Sequence, residues 1–110
     1  GHHSGDKVLQ TVSALFTAHF PDCTAFRLGG EEFGIFAFNI PFEIMLSRIE
    51  QFRTDLKDTP IDLGHPVYIT ASFGVTDELA DRLDEMLQAA DRLLYLAKQQ
   101  GRDQICANNE

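Results

Sequence analysis

Two apolar, strand-forming runs, Cys23 to Leu28 and Phe33 to Phe38, flank the short stretch Gly29-Gly30-Glu31-Glu32. Nowhere else does the chain leave its backbone so little choice. A connection this short returns the second run alongside the first, and glycine takes positive φ without steric penalty, so a tight hairpin is expected. Before it, a turn-like opening from Gly1 to Asp6 leads into Val8, Leu9, Val12, Leu15, Phe16 and Phe20 at helical spacing, and Pro21 ends the pattern. After it, Pro41 suits a first helical turn. Phe42, Met45, Leu46, Ile49, Phe52, Arg53 and Leu56 then follow at three- and four-residue steps, which makes a second amphipathic helix.

The stretch from Asp58 to Pro66 carries two prolines and a glycine and is expected to be loop or short irregular strand. Val67, Ile69, Ala71, Phe73 and Val75 alternate with Tyr68, Thr70, Ser72 and Gly74, the period of a strand with one face in the core. A third helix gathers Leu83, Met86, Leu87, Ala90, Leu93, Leu94 and Ala97 on one stripe, with Asp81 as its N-cap and Gly101 ending it in the left-handed conformation. Asp103 to Ala107 reads as a closing strand. Helix, hairpin, helix, strand, helix, strand is an α+β order, with helices packed on an antiparallel-dominated sheet.

No repeat or linker divides the 110 residues, so positions 1–110 read as one domain. Nine Lys and Arg against 17 Asp and Glu give a net charge of −8. That argues against a nucleic-acid polymer or an anionic membrane surface as main partner, since both require a basic face. A small anionic ligand needs only a local cluster of cations. Two cysteines make no disulfide framework, and no apolar run approaches the ~20 residues that cross a bilayer. A cytoplasmic domain is expected.

Three places can carry chemistry. By itself a Gly-Gly-acid-acid turn is usually a solvated hairpin tip. Here Phe33 resumes the strand at once, which keeps Glu31 and Glu32 at the sheet edge, and Arg27 lies close by on the incoming strand. Adjacent carboxylates beside glycines that admit a close backbone approach are what a Mg²⁺–phosphate site requires. Second, Lys98 ends a helix, where a cation ordinarily meets the negative dipole end; Arg102, just past the capping glycine, gives the pair a chance to converge on one anion. Third, Asp6 at the mouth of the first helix can be a simple dipole partner, or can accept from the N1–H and N2–H₂ edge of a guanine. His2 and His3 in a loop are more often neither tag nor metal site.

Gly1-His2-x-x-Gly5-Asp6, then Arg27-Leu28-Gly29-Gly30-Glu31-Glu32-Phe33, then Thr70-Ala71-Ser72-Phe73-Gly74-Val75, then Ala90-Asp91 with Leu94-Tyr95-x-Ala97-Lys98-x-x-Gly101-Arg102: in this order and spacing, the chain resembles the GGDEF domain of diguanylate cyclases, in its GGEEF form. The resemblance covers nearly the whole chain. It implies a fold related to nucleotidyl cyclases and polymerase palms (ferredoxin-like). It also implies condensation of two GTP molecules, one on each protomer of a symmetric homodimer, into cyclic di-GMP and pyrophosphate. The same resemblance makes Glu31 and Glu32 the catalytic acidic groups and the ligands of Mg²⁺ or Mn²⁺. It has Asp6 read the guanine, Lys98 and Arg102 hold the terminal phosphates, and Arg27 stand near them, while Gly29 and Gly30 let the backbone approach the nucleotide. Ala90-Asp91 and the Ser72–Gly74 stretch are expected to serve packing.

Departures from the family pattern qualify this. The family begins further upstream, with a strand bearing a metal-binding aspartate and a Phe-Lys-x-x-Asn-Asp stretch. The present chain matches roughly the C-terminal two-thirds of the domain, without the first strand and helix. Activity of this chain alone is therefore expected to be negligible, and an upstream sensory or dimerising domain is expected in the parent protein. Asp103 stands where the family more often has asparagine, a mild change. Many members carry an Arg-x-x-Asp product-binding motif, whose two positions fall here on Phe20 and Cys23, so no product-inhibition site is expected. The rival expectation is a non-catalytic GGDEF module that binds GTP as a regulatory or dimerisation unit. The intact acidic pair, Asp6, Lys98 and Arg102 favour the enzyme.

Overall fold

The computed structural model describes the backbone of residues 2–29, 32–78 and 81–108, and their side chains except at 2–4 and 27–29. Helix α1 (His2–His19) leads to strands β1 (Thr24–Gly29) and β2 (Glu32–Phe36). Helix α2 (Phe42–Asp58), the short strands β3 (Ile61–Asp62) and β4 (Pro66–Val67), β5 (Phe73–Val75), α3 (Leu83–Gln99) and β6 (Ile105–Ala107) follow. This is the α+β architecture expected. Among the described residues the strands form three separate pairs: β1 with β2 and β3 with β4 antiparallel, β5 with β6 parallel. The parallel pair exists because α3 carries the chain back across it, the crossover that parallel strands require.

The core is an aromatic cluster on one stripe of α2. Met45, Ile49, Phe52 and Leu56 recur at four, three and four residues and are all buried, together with Phe20 just after α1. Val12, Leu15 and Phe16 approach from α1, Ile69 and Ala71 from the segment before β5, Phe73 and Val75 from β5, and Ile105 from β6. Phe52 stands edge-on to Phe16, Phe20 and Phe73, with ring centroids 6.1, 5.6 and 6.0 Å away, the geometry that aligns a ring's positive edge with its neighbour's face. Polar braces tie the same elements. His19 Nε2 lies 2.7 Å from Asp55 Oδ2, joining α1 to α2, and Lys7 Nζ donates to the Asp62 carbonyl at 2.9 Å.

Three local expectations are corrected. The opening residues are helical from His2, not a turn, so Asp6 lies inside α1 rather than at its mouth. No proline interrupts this stretch, and the side of the helix at Gly5 is open, with nothing beyond the helix's own backbone within 4 Å of where a Cβ would stand. Residues 67–75 do not make one strand. Their alternation survives as direction, with Ile69 packed on the core and Tyr68 and Thr70 exposed, but no described strand pairs with residues 68–72. A strand is defined by backbone partners as much as by side-chain period. At α3 the N-cap is Arg82, with no side-chain capping bond, instead of Asp81. Asp84 and Glu85 supply the acidic first turn.

Gly74 shows why β5 and α3 lie so close. A Cβ there would fall 2.1 Å from the Ala90 carbonyl oxygen and 2.2 Å from the Leu94 backbone nitrogen. The helix rests directly on the glycine, which agrees with a packing role for Ala90 and Gly74.

Candidate functional site

The acidic motif is carried by the β1–β2 hairpin. Its antiparallel register runs from Thr24 opposite Phe36 to Arg27 opposite Phe33, then jumps to Gly29 opposite Glu32. Leu28 is left with no residue opposite, a β-bulge immediately before the tip. Such an extra residue twists the ribbon and re-aims the side chains beyond it, and the hydrophobic pattern gave no sign of it. Glu32 opens β2 and is half-buried. Gly30 and Glu31 lie outside the described residues, as does the side chain of Arg27. Below the bulge one face is aromatic. Phe26 covers Gly34, whose Cβ would meet the ring at 2.3 Å, and stacks on Phe36 at 5.3 Å; Phe36 stacks on Phe38 at 5.9 Å.

The predicted cations sit at the far end of α3. Lys98 occupies its last turn and is half-buried; Arg102 is exposed. Neither side chain makes a hydrogen bond or ion pair with a described residue, whereas Arg48, Arg53, Lys57 and Arg82 are all committed to carboxylates. Asp6 is exposed in the second turn of α1. Asp6, Glu32 and the Lys98/Arg102 pair thus stand on three different elements. No hydrogen bond or ion pair links them among the described residues, so a ligand would have to span them.

The donor set at the hairpin bears on the implied cation. No three His, Cys, Asp or Glu side chains gather into a cage among the described residues. A half-buried carboxylate beginning a strand, with a second beside it in sequence, fits the other kind of hard-cation site. There one or two carboxylates share the ion with waters and substrate phosphates.

What local pattern missed is the anchoring of the turn after α3. Gly101 has φ +119°, and the two residues after it, Arg102 and Asp103, are also left-handed at +63° and +49°. For non-glycine residues this costs roughly 1 kcal/mol each. The Arg102 N–H donates to the Ala97 carbonyl at 2.9 Å, closing the helix in a Schellman-type cap. The Asp103 N–H donates to Ser72 Oγ at 3.0 Å. Its carboxylate accepts from Arg53 Nη1 at 2.7 Å and Lys57 Nζ at 2.8 Å. Lys57 and Arg53 hold the Asp103 carboxyl below the usual carboxylate range, and Glu50 with Asp103 pushes the Arg53 guanidinium further up. Glu50 and Arg53 are visible in sequence as an i,i+3 pair, but nothing local announces a partner 50 residues away. Beside this cluster a cleft of about 470 Å³ opens between α2 and residues 103–105, lined by none of the predicted site residues.

The segment expected to lack a product site is built into the fold. Phe20 is 2% exposed. Arg48 grips Asp22 through both carboxylate oxygens, at 2.7 and 3.3 Å, and holds that carboxyl below the usual range. Burial pushes the half-buried Cys23 thiol up.

Comparison with known proteins follows the same lines. The family model described as "Diguanylate cyclase, GGDEF domain" matches residues 1–104. Diguanylate cyclase VdcA of Vibrio cholerae serotype O1 (strain ATCC 39315 / El Tor Inaba N16961) is 33% identical over 111 residues, covering 96% of this chain and 33% of its own length. The solved active GGEEF domain of a diguanylate cyclase from Vibrio cholerae matches at TM-score 0.87 and 30% identity, over 100% of this chain and 72% of that one. The GGDEF domain of DgcB from Caulobacter crescentus, solved in complex with c-di-GMP, matches at TM-score 0.88 over 100% of this chain and 68% of that one. Its 24% identity speaks for the fold alone. This chain spans between 25% and 33% of the length of the curated relatives it matches. Among the described residues no helix is long and apolar enough to cross a membrane.

Proposed function

Because the chain belongs to the GGDEF family of diguanylate cyclase domains, we propose that it supplies most of a catalytic domain, the C-terminal two-thirds, that condenses two GTP into cyclic di-GMP and pyrophosphate. The observation that carries this reading is the match of one family model across residues 1–104, with the acidic pair, Asp6, Lys98 and Arg102 all kept. Each of two protomers presents one GTP. The 3′-hydroxyl of each nucleotide attacks the α-phosphate of the other, and pyrophosphate leaves. Reaction of this kind is limited by positioning and charge neutralisation. Asp6 accepts from the guanine edge. Lys98 and Arg102 hold the terminal phosphates, with Arg27 a further cation near them, and Gly29 and Gly30 allow the nucleotide to lie against the hairpin backbone. Glu31 and Glu32 are the residues that would hold Mg²⁺ or Mn²⁺, which when bound supplies charge neutralisation at the phosphates.

The test is Glu31→Ala in the full-length protein. Turnover of GTP to cyclic di-GMP is expected to be abolished while the melting temperature stays unchanged, because a carboxylate at a hairpin tip supports little packing. Near-wild-type turnover at saturating Mg²⁺ would remove Glu31 from its metal role.

A further inference from the structure

We infer that Arg53, acting through Asp103, is a positioning residue that aims Arg102 at the terminal phosphates of the nucleotide. The inference rests on the phosphate role given to Arg102 above. The N–H and carbonyl of both Arg102 and Asp103 are bonded, while the Arg102 side chain is left without a partner among the described residues. The Arg102 N–H is held by the Ala97 carbonyl at 2.9 Å, and its own carbonyl accepts from Gln104 Nε2 at 3.1 Å. The next residue, Asp103, is pinned from two directions: by Ser72 Oγ on the strand side, and by Arg53 and Lys57 on the α2 side. Arg53 Nη1 also donates to the Asp103 carbonyl at 3.3 Å, so one guanidinium grips both the side chain and the backbone of this residue.

That grip addresses a specific difficulty. A run of left-handed residues at 101, 102 and 103 is not self-sustaining once past the glycine, and without outside bonds the turn relaxes to commoner conformations. Relaxation would change the direction in which the Arg102 side chain leaves the turn. Arg53 is itself fixed from the far side by Glu50, which accepts from its Nε at 2.9 Å. The Arg53 side chain is 17% exposed and its bonds to Asp103 are partly buried, while Glu50 stands at the surface. Arg53 meets Glu50 through Nε and Asp103 through Nη1, a spread of donors across one rigid plane that the compact point charge of an ammonium group does not reproduce.

The experiment uses the full-length protein and two probes: 3′-deoxy-GTP, which binds but cannot react, and GMP, which lacks the terminal phosphates. The quantity read is the ratio of their affinities, with kcat and KM for GTP beside it. Arg102→Ala sets the reference and is expected to lower the ratio about tenfold, the loss of one charged hydrogen-bonding group. Arg53→Met is expected to lower it at least about threefold, to raise KM more than it lowers kcat, and to add little in the Arg102→Ala background, since the two act as a unit. Arg53→Lys should fall between. If Arg53→Met does not fold, Ser72→Ala loosens the same residue from the other side and must lower the same ratio. Equal weakening of both probes by Arg53→Met would mean a structural role only and overturns the inference. An unchanged ratio in Arg102→Ala overturns the phosphate role of Arg102 itself, an outcome read without any Arg53 variant.

Discussion

Phe52 and Phe26 both pack against other rings, the first edge-on and the second stacked, yet they live in different surroundings. Phe52 is 4% exposed, between two helices and a strand, and touches rings from α1, the turn after it and β5. Phe26 lies on a two-stranded ribbon whose close backbone neighbours are chiefly its own two strands. The helical body gains its shape from many elements that fix one another, while the hairpin gains its shape from register, a bulge and one aromatic face. The acidic motif rides on the second kind of structure. Glu32, the described carboxylate of the motif, opens β2 half-buried. The cations ride on the first kind, through α3 seated on Gly74 and the Asp103 anchor.

The largest expected effect separates the two rings. Phe52→Ala should cost about 3–5 kcal/mol, the range for emptying a large buried aromatic site. Phe26→Ala should cost only about 1 kcal/mol, the scale of a cross-strand aromatic pair. Urea unfolding of both variants checks this. Equal losses would mean that the hairpin is as deeply integrated as the body, and the contrast fails.

Next in size is a pair of glycines that should respond with opposite sign. Gly74→Ala drives a methyl group into the backbone of α3, which cannot yield as a side-chain tip would, so a loss of about 3 kcal/mol is expected. Gly5→Ala, inside a helix, meets nothing beyond the helix's own backbone within 4 Å and should gain about 0.5–1 kcal/mol. The comparison is read from melting temperatures of the two variants, and a loss below about 1 kcal/mol at Gly74 would show that α3 slides on the strand.

A smaller effect belongs to the anchor. Lys57 and Arg53 depress the Asp103 carboxyl in the folded state. A depressed carboxyl contributes stability above its unfolded value, about 3.9, and that contribution is lost as pH falls through the lower folded value. Asp103→Asn should therefore be less stable than the native chain near neutral pH by under about 1 kcal/mol, given the exposure of the Lys57 pair. The gap should close as pH falls below the unfolded value. A gap that stays constant from neutral pH into strong acid would remove Asp103 as the titrating group.

The helices and the hairpin were legible because each is written in local periodicity: Met45, Ile49, Phe52 and Leu56 give one face of α2, and the glycines between two apolar runs give the turn. Gly101 was legible as a helix stop for the same reason. Residues 67–75 were misread because alternation reports which way side chains point, not whether a neighbouring strand is there to pair. Asp6 was placed at a helix mouth because the opening residues look turn-like, and the open helix face at Gly5 tolerates the glycine there. The bulge at Leu28 and the Arg53–Asp103 contact were invisible for a different reason. The first depends on how the two strands register across the tip, the second on where residues 50 apart in sequence meet. Of the candidate site, residue types and order could be read from the motifs, but the strained turn that carries Arg102 could not.

The smallest expected effect is an absence, and it sharpens the contrast at the junction of the two regions, where α1 turns into β1. Recognition of a guanine or phosphate by an arginine needs a charge and a planar donor fork free to meet the ligand. At the first position of the family's product motif stands Phe20, which is 2% exposed and part of the aromatic cluster. The second position is Cys23, whose thiol is pushed up by burial and by Asp22, so it offers no charge at neutral pH. Arg48, a cation beside this segment, is occupied by both oxygens of Asp22, and prising that pair apart would leave an acid facing any phosphate. Turnover by the full-length protein is therefore expected to be insensitive to added cyclic di-GMP through this segment, and Arg48→Ala should leave that insensitivity as it is. Calorimetry with cyclic di-GMP decides the matter. Micromolar binding that disappears on substitution of residues 20–23 or of Arg48 would show that the turn, for all its packing, still opens to a ligand.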